Sequence, residues 1–185
     1  MIAPFFLLLI STIGLAAALI LPGLTDLLLV ALPSVIASLV LLIRAAVTRR
    51  TRWLMIDGSN VMHWKGGRPE IATLREVVDH VSGLGFTPAI IFDANAGYKL
   101  NGRYLNDSAL ANSLGLPVGR VIVVPRGSPA DPAILAASRD LHARIVTNDR
   151  YRDWQEDYPE IETAGHLVRG GYRKGKLRLE LTDHG

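Results

Sequence analysis

The sequence predicts a three-layer α/β domain on a mostly parallel sheet, preceded by an apolar two-helix hairpin. Three observations predict it: one end of the chain lacks charge, strand-like and helix-patterned runs alternate over the rest, and the strands finish on or near aspartates. Of 185 residues 49% are hydrophobic, but they are unevenly spread. Asp26 is the only charged side chain before Arg44, so all 20 Lys and Arg lie from Arg44 onward. Two compositions in one chain imply two units suited to different surroundings. There is no cysteine, which excludes disulfides and Cys-based zinc sites. His63, His80, His142, His166 and His184 show no i, i+4 pairing, so a histidine metal site has no support.

The apolar end comes first. Ile2 to Leu21 is an uncharged run of 20 residues, which as a helix matches the roughly 30 Å of a bilayer core. "PGLTD" (Pro22–Asp26) turns the chain, and Leu27 to Ile43 forms a second uncharged run that Ala45 to Val47 extend. Gly14 and Ala18, then Ser34 and Ser38, give each run the small-residue spacing that lets helices pack closely. A secretory signal would begin with Lys or Arg, and this N-terminus has neither. The expectation is a transmembrane hairpin over residues 1–48, with spans at about 2–21 and 27–47. Arg44, Arg49, Arg50 and Arg52 flank the second span. Positive charge stays inside, so a multi-pass anchor in the cytoplasmic (inner) membrane, with the domain facing the cytoplasm, is expected.

Residues 52–185 carry the alternating pattern. "RWLMID" (52–57) reads as a strand, and "PEIATLREVVDHVSGLG" (69–85) as a helix with Ile71, Leu74, Val78 and Val81 on one face. "TPAIIFDAN" (87–95) is a second strand and "NDSALANSLG" (106–115) a short helix capped by Asp107 or Ser108. "RVIVVP" (120–125) is a third strand. "ADPAILAASRDLHA" (130–143) opens with Asp-Pro, the signature of a helix cap and first position. "RIVTND" (144–149) is a fourth strand and "RYRDWQED" (150–157) a short helix. The tail "HLVRGGYRKGKLRLEL" (166–181) reads as a hairpin. Strands alternating with helices argue for a parallel sheet covered on both faces.

Ligands of an open parallel sheet bind at the carboxyl ends of its strands. The first strand ends at Asp57, the second at Asp93 and the fourth at Asp149; Asp131 opens the helix after the third, and Asp153 follows Asp149 by one turn. Taken singly, each is an ordinary turn former or cap. Jointly they repel, by several kcal/mol per close pair at an effective dielectric of about 20, and a resident cation relieves that repulsion. Oxygen-only ligands select hard ions, Mg²⁺ or Mn²⁺. An acidic metal site in a basic domain points to a phosphodiester substrate, with Arg126, Arg150, Arg152, Arg169, Arg173, Lys174, Lys176 and Arg178 as candidates to hold flanking phosphates. No GxxxxGK[ST] P-loop occurs, and "DGS" is not the DxD of an aspartyl-phosphate phosphatase.

"MIDGSN", "FDANAGYK", "PADPAIL" and "VTNDRYRDW" resemble the NYN branch of the PIN-like nucleases over roughly residues 53–160. The closest type is the ribonuclease domain that eukaryotes couple to a CCCH zinc finger (the Regnase type), here without the finger and with a membrane anchor. The resemblance implies a Mg²⁺- or Mn²⁺-dependent endoribonuclease cutting single-stranded or loop RNA. It implies catalytic roles for Asp57, Asn60, Asp131, Asp149 and Asp153, and metal contacts from Asp57, Asp131, Asp149, Asp153 and Asp93, with Asn95 beside them. Eukaryotic members carry a double acid where this chain has Ala130-Asp131, so one ligand is missing unless Asp93 supplies it. The resemblance implies RNA as partner; the membrane is expected from the apolar hairpin, and a homodimer is left open. The residues themselves leave two other readings open, a DNA-directed nuclease and a non-catalytic RNA-binding module.

Overall fold

The computed structural model describes residues 2–47 and 51–181. Arg49, Arg50 and His184 lie outside the described residues. The chain divides into two compact units at Arg50.

The first unit is α1 (Ile2–Ile20), a 3₁₀ turn and α2 (Leu28–Val47). The two helices pack on each other. Ala18, Ala31 and Ser38 are buried while Phe6, Ile10, Ile13, Leu29 and Ile36 are exposed, so small residues face inward and large apolar ones outward. Among the described residues no helix is long and apolar enough to cross a membrane. The expected transmembrane hairpin is therefore present as two packed helices and unsupported as two spans.

The second unit is a five-stranded parallel sheet in the order β3-β2-β1-β4-β5. Its strands are β1 (Trp53–Asp57), β2 (Thr87–Phe92), β3 (Val121–Val123), β4 (Arg144–Val146) and β5 (Leu167–Val168). Side chains alternate across a strand, and both faces here are apolar. Leu54 and Ile56 of β1, with Ile90 and Phe92 of β2, pack on α4 (Ile71–Gly83) and α6 (Asp107–Leu114) through Leu74, Val77, Val81 and Leu110. Met55 and Ile91 point the other way, onto Ile134 and Leu135 of α7 (Ala130–Leu141). That is the three-layer arrangement that the strand composition predicts. Its consequence is positional: the loops after β1, β2, β3 and β4 emerge at one edge.

The structure alters several local expectations. β4 stops at Val146, not Asp149, because side chains take over its backbone donors: Thr147 Oγ1 accepts from Asp149 N (3.0 Å) and Asp149 Oδ1 from Tyr151 N (2.8 Å). The 150–157 segment keeps only one 3₁₀ turn, Arg152–Trp154. Two short helices are additional, α3 (Gly58–Val61) and α5 (Ala96–Asn101). α6 is capped by Asn106, whose side chain accepts from Ala109 N, while Asp107 accepts from Val123 N. In the tail, β5 joins the parallel sheet beside β4, and only β6 (Gly170–Arg173) and β7 (Lys176–Leu179) form the hairpin. Gly58 serves close packing rather than turning: a Cβ there would sit 2.4 Å from Cε1 of Phe92.

Candidate active site

Asp57, the last residue of β1, is the centre of the edge. It is buried, and three donors hold its carboxylate. Asn60 N donates to Oδ1 (3.1 Å), while the Thr147 and Tyr151 hydroxyls both donate to Oδ2 (3.0 and 3.1 Å). Burial raises its pKa, the three hydrogen bonds oppose that, and Asp131 adds repulsion; the net shift is upward. Both in-plane lone pairs of Oδ2 are thereby taken, and only Oδ1 has one open.

Asp131 lies in the first turn of α7, yet it caps nothing. The N-cap position is Pro129 and no side-chain cap bond forms, so the expected Asp-Pro capping is absent. A helix N-terminus favours negative charge. Asp131 is nevertheless raised, by burial first and then by Asp149, with Asp153 adding to it; the Trp154 side chain, through a hydrogen bond, is the one opposing contact. The charges raising Asp131 are thus further carboxylates, and among the described residues no salt bridge joins a Lys or Arg to it. Asp57, Asp131, Asp149 and Asp153 form one like-charged neighbourhood.

Asn60 and Asp93 sit differently. The amide oxygen of Asn60 accepts from Trp64 Nε1 (2.9 Å) and from Asn148 N (3.0 Å), so it ties the β1 loop to the β4 loop. Asp93 accepts from Asn95 N and pairs with Lys99 at 3.2 Å. Its backbone N–H donates to Ser59 Oγ (2.8 Å), which joins the β1 and β2 loops. Asp93 is therefore a neutralised neighbour of the cluster rather than one of its repelling members. Asn95 contributes its backbone N–H there.

Two residues the sequence reasoning missed do much of the positioning. Tyr151 adopts the left-handed region (φ 48°), uncommon outside glycine, and is held there by the Asp149 turn and by burial beside Ile134, Leu135 and Ile145. Burial and the Asp57 charge push its hydroxyl pKa far upward, so it stays a donor to Asp57. Asn148 bonds the β6–β7 hairpin to the edge: Nδ2 donates to Gly170 O (2.8 Å) and Oδ1 accepts from Gly170 N (3.2 Å). The available signal for Tyr151 was an aromatic flanked by arginines inside the charged run "NDRYRDW". Nothing marked Asn148 or Thr147 beyond their place beside Asp149.

Of the basic residues, Arg169 donates to Asn148 O (2.8 Å). With Arg173, Lys174, Lys176 and Arg178 it lines an open groove of about 810 Å³ that starts at Asn148. Arg150 and Arg152 are exposed in the loop around Tyr151, and Arg126 is exposed beyond β3.

Among the described residues no group of three or more His, Cys, Asp or Glu is arranged to hold a metal ion by itself. The donor chemistry fits a hard cation all the same. The cluster is oxygen-only, uncompensated and open, and Mg²⁺ is usually held by one or two carboxylates, with water and substrate phosphate completing its shell.

The fold and edge define an α/β domain of the PIN-like, NYN type, with its acidic centre at the carboxyl ends of a parallel sheet. Residues 50–172 match the family model of the Zc3h12a-like ribonuclease NYN domain, and the chain belongs to that family. No curated protein matches the chain. Solved structures similar in fold include two of nuclear protein-only RNase P 2 (PRORP2) from Arabidopsis thaliana. One is 23% identical with a TM-score of 0.53, covering 71% of this chain and 30% of that one. The other is 22% identical with a TM-score of 0.52, covering 85% and 35%. The chain thus spans about a third of the proteins it resembles, and at this identity the likeness is one of fold.

Proposed function

We propose that this protein is a metal-dependent endoribonuclease that hydrolyses phosphodiester bonds of single-stranded or loop RNA, with Asp57, Asp131, Asp149 and Asp153 as its acidic centre. The observation that carries the proposal is the uncompensated carboxylate cluster at the sheet edge of a domain belonging to a ribonuclease family. Repelling carboxylates cost stability, and a binding role for a divalent cation accounts for their placement. Asp57 Oδ1, Asp131, Asp149 and Asp153 would hold Mg²⁺ or Mn²⁺. When bound, such an ion lowers the pKa of water and offsets charge on the phosphoryl group.

The chain's own residues supply the rest. Thr147 and Tyr151 fix the Asp57 carboxylate so that Oδ1 stays available. Asn60 and Asn148 lock the β1 and β4 loops together, which sets the distance between Asp57 and Asp149. Arg169, Arg173, Lys174 and Lys176 form a basic rim continuous with the edge through Asn148, suited to the phosphates of a strand crossing it; Arg126, Arg150 and Arg152 extend the basic surface on the other loops.

We also propose that α1 and α2 tether the domain to the cytoplasmic face of a membrane. The support is a helical pair whose one charged side chain, Arg44, lies in the last turn of α2; it buries Ala18 and Ser38 and exposes Phe6, Ile10 and Leu29, the inverse of a water-soluble hairpin. Reporter fusions at the C-terminus decide the orientation, and an external location contradicts it.

For the activity, the full chain is incubated with circular single-stranded RNA and circular single-stranded DNA, with Mg²⁺, with Mn²⁺ and with chelator. Linearised RNA with either ion and none with chelator is expected. Cleavage of DNA alone would make it a DNA-directed nuclease. Binding of RNA without cleavage under any condition would make it a binding module.

A further inference from the structure

Beside the acidic centre, an open groove of about 940 Å³ runs between the ends of β2 and β3. Of its lining, the hydrolytic reading uses only Arg126, as part of the basic surface. Its walls carry Tyr98 and Tyr104, each 56% exposed. Asn95, Asn106, Asp107, Ser108 and Arg126 supply its polar groups, with one carboxylate oxygen of Asp107 engaged by Val123 N, and Val123 to Pro125 form part of its lining. Neither tyrosine ring makes an aromatic or cation–π contact among the described residues. Exposed aromatic rings of this size on a small domain are costly to leave in water.

The backbone brings the two rings to one groove deliberately. Gly97 packs against the segment leading into α6 so closely that a Cβ would lie 2.4 Å from Leu105 N and 2.8 Å from Arg103 O. Tyr98 follows that glycine, and Tyr104 sits between those two contacts. The groove is also tied to the acidic edge. Asn95 opens α5 two residues after Asp93, which is bonded to Ser59 of the β1 loop. Arg126, exposed and with no ion-pair partner among the described residues, lies five residues before Asp131. The Asn106 amide oxygen is used in the α6 cap, which leaves its NH₂ as a donor.

We propose that this groove is a nucleobase subsite, in which Tyr98 and Tyr104 stack a base of single-stranded RNA next to the phosphate held at the acidic centre. Planar rings bind planar bases whatever their sequence; amide and hydroxyl groups reach base edges, and the guanidinium of Arg126 takes the adjoining phosphate. The subsite rests on the ribonuclease reading for its ligand. It gives a reason for preferring unpaired RNA, because a base within a duplex cannot enter the groove.

The test is fluorescence anisotropy with the full chain in detergent micelles, chelator present, and a labelled single-stranded RNA dodecamer as probe. Matched dodecamers carry one abasic position, moved along the strand. Tyr98→Ala and Tyr104→Ala are each expected to weaken binding about ten-fold, and Tyr→Phe at either position by no more than about two-fold. One or two abasic positions should weaken the parent by a similar factor while leaving the Ala variants unchanged. Both tyrosines are exposed, so melting temperatures should match the parent's. Ala variants that bind as the parent does, Phe variants as weak as Ala, or indifference to abasic positions would each overturn the subsite. Cleavage by a parent whose Ala variants bind normally removes the subsite and keeps the ribonuclease reading. Tyrosine-dependent binding without any cleavage does the reverse, and absence of RNA binding removes both.

Discussion

The two ends of α7 face opposite electrostatic conditions. At its first turn Asp131 is half-buried among like charges, and its pKa is raised by burial and by Asp149 and Asp153. At its last turn Arg139 makes paired bonds to Glu160 (2.7 and 2.9 Å) and holds that carboxyl down to about 2. One helix thus carries a carboxylate cluster that works against folding and an ion pair that works modestly for it. Stability alone would not place four aspartates together where a single lysine could relieve them. Asp93, tied to the β1 loop of the cluster through Ser59, shows how easily relief is arranged, since Lys99 pairs with it.

The largest expected effect comes from removing one charge of the cluster. Asp149→Asn keeps the turn to Tyr151, because an amide oxygen can still accept that N–H. Cleavage should fall by orders of magnitude in a timed RNA assay. Mg²⁺ should raise the parent's melting temperature far more than the mutant's, because a ligand of the native state stabilises it by mass action. A mutant that melts well below the parent and still responds to Mg²⁺ would make Asp149 a turn former only.

Next comes Tyr151→Phe, which keeps the buried ring and removes one donor to Asp57. The expected loss is about 1–3 kcal/mol for a hydrogen bond to a charged group, read by denaturant titration, with reduced cleavage. Unchanged cleavage would mean that Thr147 and Asn60 N suffice to hold Asp57. A comparable but substrate-dependent effect is expected at the rim. Replacing Arg169, Arg173, Lys174 and Lys176 by Ala should flatten the salt dependence of RNA binding by about 0.7 log units of slope per lost contact. An unchanged slope would place the hairpin away from the substrate.

pH separates the two ends of α7 more finely. Asp57 and Asp131 have folded pKa values above their unfolded ones, so protonation favours the fold. Their contribution is fully present below the ordinary carboxylate value and is lost as pH rises through the raised folded values. Glu160 is the opposite case: its contribution is present above its unfolded value and is lost as pH falls toward about 2. The metal-free protein should therefore melt higher in mild acid than at neutrality, and Asp131→Asn should remove much of that rise. The smallest effect is expected from Arg139→Ala. This exposed pair is screened by solvent, so melting should fall slightly and cleavage should not change.

Much of this arrangement was legible in the sequence, for a reason that differs by residue. Asp57 and Asp131 were found because apolar runs of fixed period end beside them, and period survives into the fold. The parallel sheet followed from the same pattern. What escaped was held by contacts distant in sequence: Tyr151 to Asp57, Asn148 to Gly170, Asn60 to Asn148. No local spacing announces such bonds. The β4 boundary was overrun for a related reason, since Thr147 and Asp149 take up the backbone donors that a continuing strand would use. Nor does any local pattern show that the Phe92 ring excludes a side chain at Gly58.

Asp131 offers the most direct measurement of the central claim, because it caps nothing and forms no salt bridge among the described residues. Parent and Asp131→Asn are melted at neutral pH without metal, and the same preparations are assayed on circular RNA with Mg²⁺. A cluster kept for function at the expense of stability predicts that the mutant melts at the same temperature or higher while its cleavage falls by at least about 100-fold, the scale of removing one group from a catalytic constellation. A mutant that melts below the parent and still linearises the RNA would contradict that account.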